Sequence, residues 1–242
     1  MTMTKRSWAR ALAGVCGIAG PVILVASLAM HPSPPTCLAP AALAAWAEPR
    51  TGFLLLDGAM HGVGSLLIVI FALALVRLSG GAHGFMGWLT QFVGGTILMI
   101  SLIEVTFYLT AAPTIASGDT ASDLISDGVD RAMQHLLALP ALLFPLAVVV
   151  LRTRVLARSL AWSGLAIGAG LQILALAGVF GVTQPVVDVM VIVQAAWFAA
   201  AGAALALSAM KHVGAAATTP AEGNPGDAID SGLLGLGLLG AA

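Results

Sequence analysis

The chain has 242 residues, of which 59% are hydrophobic and only 9% charged, where a soluble domain carries roughly a quarter of its residues as charges. So few charges cannot clothe a water-soluble surface, and a formal net charge of −1, with Arg152, Arg154 and Arg158 as the one basic cluster, leaves no cationic face for nucleic acid. The two cysteines, Cys16 in an apolar run and Cys37 in the stretch after it, fall at different expected depths, which argues against a disulfide scaffold and a cysteine-based metal motif.

Apolar runs of ~20 residues, long enough to cross a hydrocarbon core of ~30 Å, recur near residues 8–30, 53–76, 88–110, 132–151, 160–180 and 185–209. Each is expected to be helical, because an open strand edge cannot be tolerated in lipid. The fold class expected is therefore all-α: a polytopic transmembrane helix bundle of about six spans, residues 1–210, with short inner loops and two longer outer loops.

The first run is preceded by Lys5, Arg6 and Arg10. A cleaved signal peptide ending at Ser27-Leu28-Ala29 is the rival reading, but an apolar stretch of ~20 residues exceeds the ~7–15 of a signal core, so a retained span is expected. The outer loop 30–52 is rich in Pro and Ala and predicts a short interfacial helix through Ala41 to Trp46, started by Pro40. In the second span Asp57 and His61 lie four apart on one face, with Ser65 a turn deeper. Ser101, Glu104 and Tyr108 share a face of the third in the same way, and the loop 111–131 after it carries Asp119, Asp123, Asp127 and Asp130. The fourth span is entered through Arg131, Gln134 and His135, the fifth holds Gln172, and the sixth brings Gln184, Asp188 and Gln194. Pro21, Pro140 and Pro145 fall inside spans and predict kinks or freed carbonyls. Pro185 falls at a helix start, where its missing N–H costs nothing. Residues 211–242 turn to Ala, Thr, Pro, Glu and Gly and read as a disordered cytoplasmic tail.

Six spans put Lys5, Arg6, Arg10, Arg77, Arg152, Arg154, Arg158 and Lys211 on one side and only Arg50 and Arg131 on the other. That is the positive-inside asymmetry, so both termini are expected in the cytoplasm; Trp8, Trp88 and Trp162, each opening an odd-numbered span, would form an aromatic belt at the same interface.

An ionisable side chain at the centre of a span costs at least ~2.5–3.5 kcal/mol, so each one present asks for a reason. His61, Glu104 and His135 all fall in the outer half of their spans, with Asp57, Tyr108, Asp188 and Gln172 around them, and no acidic residue is expected in the inner half. The pattern predicts a polar pocket that opens outward and binds or moves a proton, cation or small solute through protonation changes at Glu104 and His61. Three other readings use the same residues or faces. The groups can hydrogen-bond between helices or sit hydrated at the headgroups. His61, Glu104 and His135 can form a two-His-one-carboxylate metal site, or the histidines can ligate haem in a redox protein. The chain can also be a non-catalytic subunit that meets a membrane partner, or a second copy of itself, through Gly58-x-x-x-Gly62, Gly164-x-x-x-Gly168 and the small residues Ala199 to Ala204. No serine or cysteine nucleophile is paired to a base, so the sequence leans away from an enzyme, and no cofactor is strongly implied.

Gly17-Ile18-Ala19-Gly20-Pro21 in the first span, His31-Pro32 at its outer end and His61-Gly62 in the second resemble a large group of uncharacterised bacterial six-span integral membrane proteins. The resemblance covers mainly the first ~75 residues. It implies a multi-pass protein of the bacterial plasma (inner) membrane, with the outer side periplasmic, and assigns no residue a role.

Overall fold

In lipid every backbone N–H and C=O must be paired within its own segment, and the apolar runs satisfy this as long helices. The computed structural model describes residues 5–30, 42, 45–46, 48–117, 141–178 and 184–218, with side chains at all of these except 5, 6, 104, 107–117, 177, 178, 184–188 and 211–218. Its helices are α1 (Lys5–Met30), α2 (Thr51–Leu78), α3 (Phe85–Ser117), α4 (Ala141–Thr153), α5 (Arg158–Gly178) and α6 (Gln184–Thr218). The described residues contain no strand. Five of the helices, all but α4, are long and apolar enough to cross a membrane.

Several helices run past their expected ends. Lipid length sets the span, while the helix continues for as long as local propensity allows. α6 continues to Thr218, eight residues into the segment expected to be a tail, because Ala215, Ala216 and Ala217 are the best helix formers. α3 likewise carries on from the expected end at residue 110 to Ser117, into the segment expected to be an outer loop. Ala42, Ala45 and Trp46 of the proposed interfacial helix are helical, and Glu48–Arg50 form a 3-10 turn that leads into α2. Pro21 lies inside α1 and Pro185 in the first turn of α6. Pro140, His135, residues 132–139 and the tail beyond 218 lie outside the described residues.

α1 is the pivot of the bundle, packed along α2 on one side and α6 on the other. Glycine makes this possible. A Cβ on Gly17 would lie 2.7 Å from the Phe71 ring and 2.9 Å from Gly202 Cα, and one on Gly202 would lie 2.7 Å from the carbonyl carbon of Gly17. On the other face, a Cβ on Gly20 would come within 2.9 Å of the Ile68 nitrogen. These are backbone-to-backbone approaches of the kind membrane helices use in place of a hydrophobic driving force. α5 follows the same rule: Gly168 meets the backbone of Leu143 and Phe144 on α4, beside Pro145, and Gly164 meets the Trp197 indole of α6. That indole donates a 2.9 Å hydrogen bond to the Leu160 carbonyl, so its N–H is satisfied in an apolar setting. The small-residue faces at Gly62, Gly164, Gly168 and Gly202 are thus occupied by neighbours in the same chain.

The turns at one end are tight. α2 closes through Ser79 onto Gly80, whose φ of 70° only glycine adopts freely, and a 3-10 turn at Gly81–His83 leads to α3. α4 ends at Arg154, a non-glycine residue at φ 54° whose N–H reaches the Val150 carbonyl at 3.0 Å. Arg10, Arg77, Arg152, Arg154 and Arg158 gather at this end, as do Trp8, Trp88 and Trp162, which are 59%, 58% and 57% exposed. Helices α1 to α6 therefore alternate in direction. The core between them is apolar and centred on Phe71, Phe198, Leu142, Leu146 and Leu205, each at most 1% exposed.

Candidate functional site

Away from the arginine-rich end, the interior changes character. Asp57, in the second turn of α2, is 4% exposed, and Ser27, near the end of α1, is 1% exposed. The Ser27 hydroxyl donates a short hydrogen bond to the Asp57 carboxyl oxygen Oδ1. Asp57 is therefore enclosed between helices rather than hydrated at the headgroups, and its carboxyl group has a built partner. A hydrogen bond to a charged group is among the stronger ones. The sequence reading placed Asp57 here and missed Ser27. The signal was present: Ala13, Gly17, Gly20, Leu24 and Ser27 recur at three- and four-residue steps on the buried face of α1.

His61 is one turn deeper on α2, half-buried, with no accessible surface at Nε2. Ser65, one further turn in, is completely buried, and its hydroxyl has no hydrogen-bond partner among the described residues. α3 passes close by at this depth, where Val105 abuts Gly62. Glu104, the residue before Val105, is thereby brought to the level of His61 on the adjacent helix. Its side chain, like those of Tyr108 and Asp188, lies outside the description, as does the whole of His135.

The remaining polar groups come from α5 and α6. Gln194 is 3% exposed. Its amide nitrogen reaches the Met190 carbonyl at 3.4 Å, and its Oε1 is buried without a partner among the described residues. Gln172 is half-buried with its Oε1 in the same condition. The contacts Gly17 to Gly202 and Gly20 to Gly64 fix the register. Counting outward from them at ~1.5 Å per residue puts Gln194, Val25 and His61 at one depth. The contact of Gly164 with Trp197 similarly puts Gln172 level with Val189, just over a turn farther out than Gln194.

The result is a polar layer built from α1, α2, α5 and α6, with α3 alongside: a carboxyl group, a hydroxyl attached to it, an imidazole, and two buried amide oxygens and one buried hydroxyl without partners among the described residues. Acceptors predominate. Buried polar atoms left unsatisfied each cost about 1–3 kcal/mol, and such atoms mark places where a ligand, ion or water has something to bind. Among the described residues no three His, Cys, Asp or Glu side chains gather closely enough to hold a metal ion. The set of His61, Glu104 and His135 rests on two side chains outside the description. Cys16 is buried on α1 with its thiol free.

No protein family, curated protein or solved structure matches the chain.

Proposed function

We propose that this chain is a six-span, multi-pass protein of a bacterial plasma membrane with both termini in the cytoplasm, and that its outer half binds a proton, a cation or a small polar solute arriving from the periplasmic side. The bland reading, in which these groups only join helices, accounts for Ser27 and Asp57 but supplies the buried oxygens of Ser65 and Gln194 with no partner among the described residues. The observation that carries the proposal is the enclosed Asp57 carboxyl group, 4% exposed and bonded to Ser27, in a layer of acceptors. Such a layer favours a guest that brings protons or positive charge. The basic residues and exposed tryptophans at the opposite end support the orientation. The place of α1 between α2 and α6 supports its retention as a span rather than its loss as a signal peptide.

Purified protein in proteoliposomes, loaded with a pH-sensitive dye and challenged with candidate cations and small amines, tests the reading. The wild type should bind or take up one of them with a pH dependence that Asp57→Asn and Glu104→Gln abolish at similar folded yield. Binding or uptake that neither substitution changes would overturn it. A coloured preparation with stoichiometric iron would replace it with the redox alternative.

A further inference from the structure

At the far end of the bundle an open cleft of about 380 Å³ lies between the end of α1 and the start of α2, lined by Met30, Pro49, Arg50 and Phe53. We infer that this cleft is a phospholipid site, in which Arg50 holds the headgroup phosphate and an acyl chain runs along the outward face of α2. Three observations carry this.

The first is the cation and how it is held. The guanidinium of Arg50 lies 5.1 Å from the centre of the Trp46 ring, and Nη1 donates a 2.7 Å hydrogen bond to the Trp46 carbonyl. Stacking and that bond fix the head, and they use one of the five N–H donors of a group whose planar fork matches a phosphate. The second is position. Trp46 and Arg50 stand at the mouth of a span, where aromatic rings and arginines mark the level of the headgroups. The third is the path below. Phe53, 60% exposed, begins a row with Leu56, Ala59, Val63, Leu66 and Ile70, all exposed, at the three- and four-residue steps of one helical face. A phosphate above a continuous apolar row is the shape of a phospholipid, whereas a free phosphate would leave Met30 and Phe53 unused. The site is separate from the polar layer: the Ser27 and Asp57 pair lies a turn deeper and faces inward.

Native mass spectrometry of the full-length protein in mild detergent, titrated with dioleoyl phosphatidylglycerol, tests the assignment. The wild type should carry one lipid that resists collisional removal. Arg50→Gln should weaken its apparent Kd at least tenfold, Arg50→Lys should fall between the two, and Arg77→Gln, at the opposite end, should match the wild type. Equal retention by Arg50→Gln and Arg77→Gln would overturn the proposal. So would a wild type that binds no tight lipid, the result expected if residues 31–41 of the chain fill the cleft themselves. Arg50→Lys keeps the charge and is read alone should Arg50→Gln fail to fold; a Kd unchanged from the wild type would then refute the role of the planar fork.

Discussion

Removing the Ser27 hydroxyl tests the polar layer at its best-defined point. Ser27→Ala leaves the Asp57 carboxyl group, 4% exposed, without the donor that meets its Oδ1. A hydrogen bond to an ionised group contributes about 1.5–3 kcal/mol and one to a neutral group about 0.5–1.5. The two partners are not equivalent. In Asp57→Ala the surviving Ser27 hydroxyl can turn to the carbonyl of Ile23 one helical turn back, whereas Ser27→Ala removes the donor itself. Unfolding by sodium dodecyl sulfate from a mild detergent, followed by tryptophan fluorescence on the wild type, both single variants and the double variant, isolates the pairwise contribution. The expected coupling is about 1.5–3 kcal/mol for an ionised Asp57, a 10- to 150-fold change in the folded-to-unfolded ratio, and about 0.5–1.5 for a protonated one. Variants additive to within about 0.3 kcal/mol would refute the bond and, with it, the best-defined part of the site.

Two further outcomes test the frame that holds the site. Gly202→Ala should destabilise the bundle by about 1–3 kcal/mol through overpacking, since its new Cβ would meet backbone atoms of Gly14 and Gly17 at 2.7–2.9 Å. Gly95→Ala, with nothing within 4 Å, should instead gain up to about 1 kcal/mol from helix propensity; equal effects in the same unfolding assay would contradict the close α1 to α6 contact. Arg154→Gly should raise the unfolding midpoint by relieving a φ of 54°, a conformation that costs an L-residue roughly 1–2 kcal/mol, and a lowered midpoint would show that the arginine side chain contributes more than its backbone strain costs.

What was legible in the sequence follows from what lipid demands. The long helices were readable because ~20 apolar residues are needed for each crossing and few other patterns supply them. Their ends were less readable. The bilayer stops constraining the chain at the headgroups, and beyond Met210 and Thr110 the helices run on by local propensity. The four-residue step shows that Asp57 shares a face of its helix with His61, but it does not disclose the partner on α1. A serine near the end of an apolar run carries no charge to draw attention, and only the three- and four-residue steps of the α1 glycines disclose that Ser27 points inward. The sequence puts His61 and Glu104 in the same outer half, but that they lie level on adjacent helices depends on where Val105 meets Gly62, which no single span discloses.

The same contacts limit how the proposed site can work. Below the polar layer, Phe71 and Phe198 meet edge to face with ring centroids 6.2 Å apart, and Phe198 meets Trp197 at 5.4 Å in the same manner. Around these rings the glycines of α1, α2 and α6 bring backbone against backbone, and the Trp197 bond to Leu160 ties in α5. The shift of a single side chain cannot open a path there: the helices themselves would have to separate, losing close-packed contacts along their whole length. A proton or solute that reached Asp57 and His61 would therefore leave by the end it entered. On the proposed reading, this makes the outer half a receptor or exchange site, and transport across the membrane would require α1 and α6 to slide apart at Gly17 and Gly202. A disulfide that joins α1 to α6 at that level separates the two cases: it should leave binding intact and abolish any uptake. Uptake that persisted with the helices joined would show that the path does not run between them.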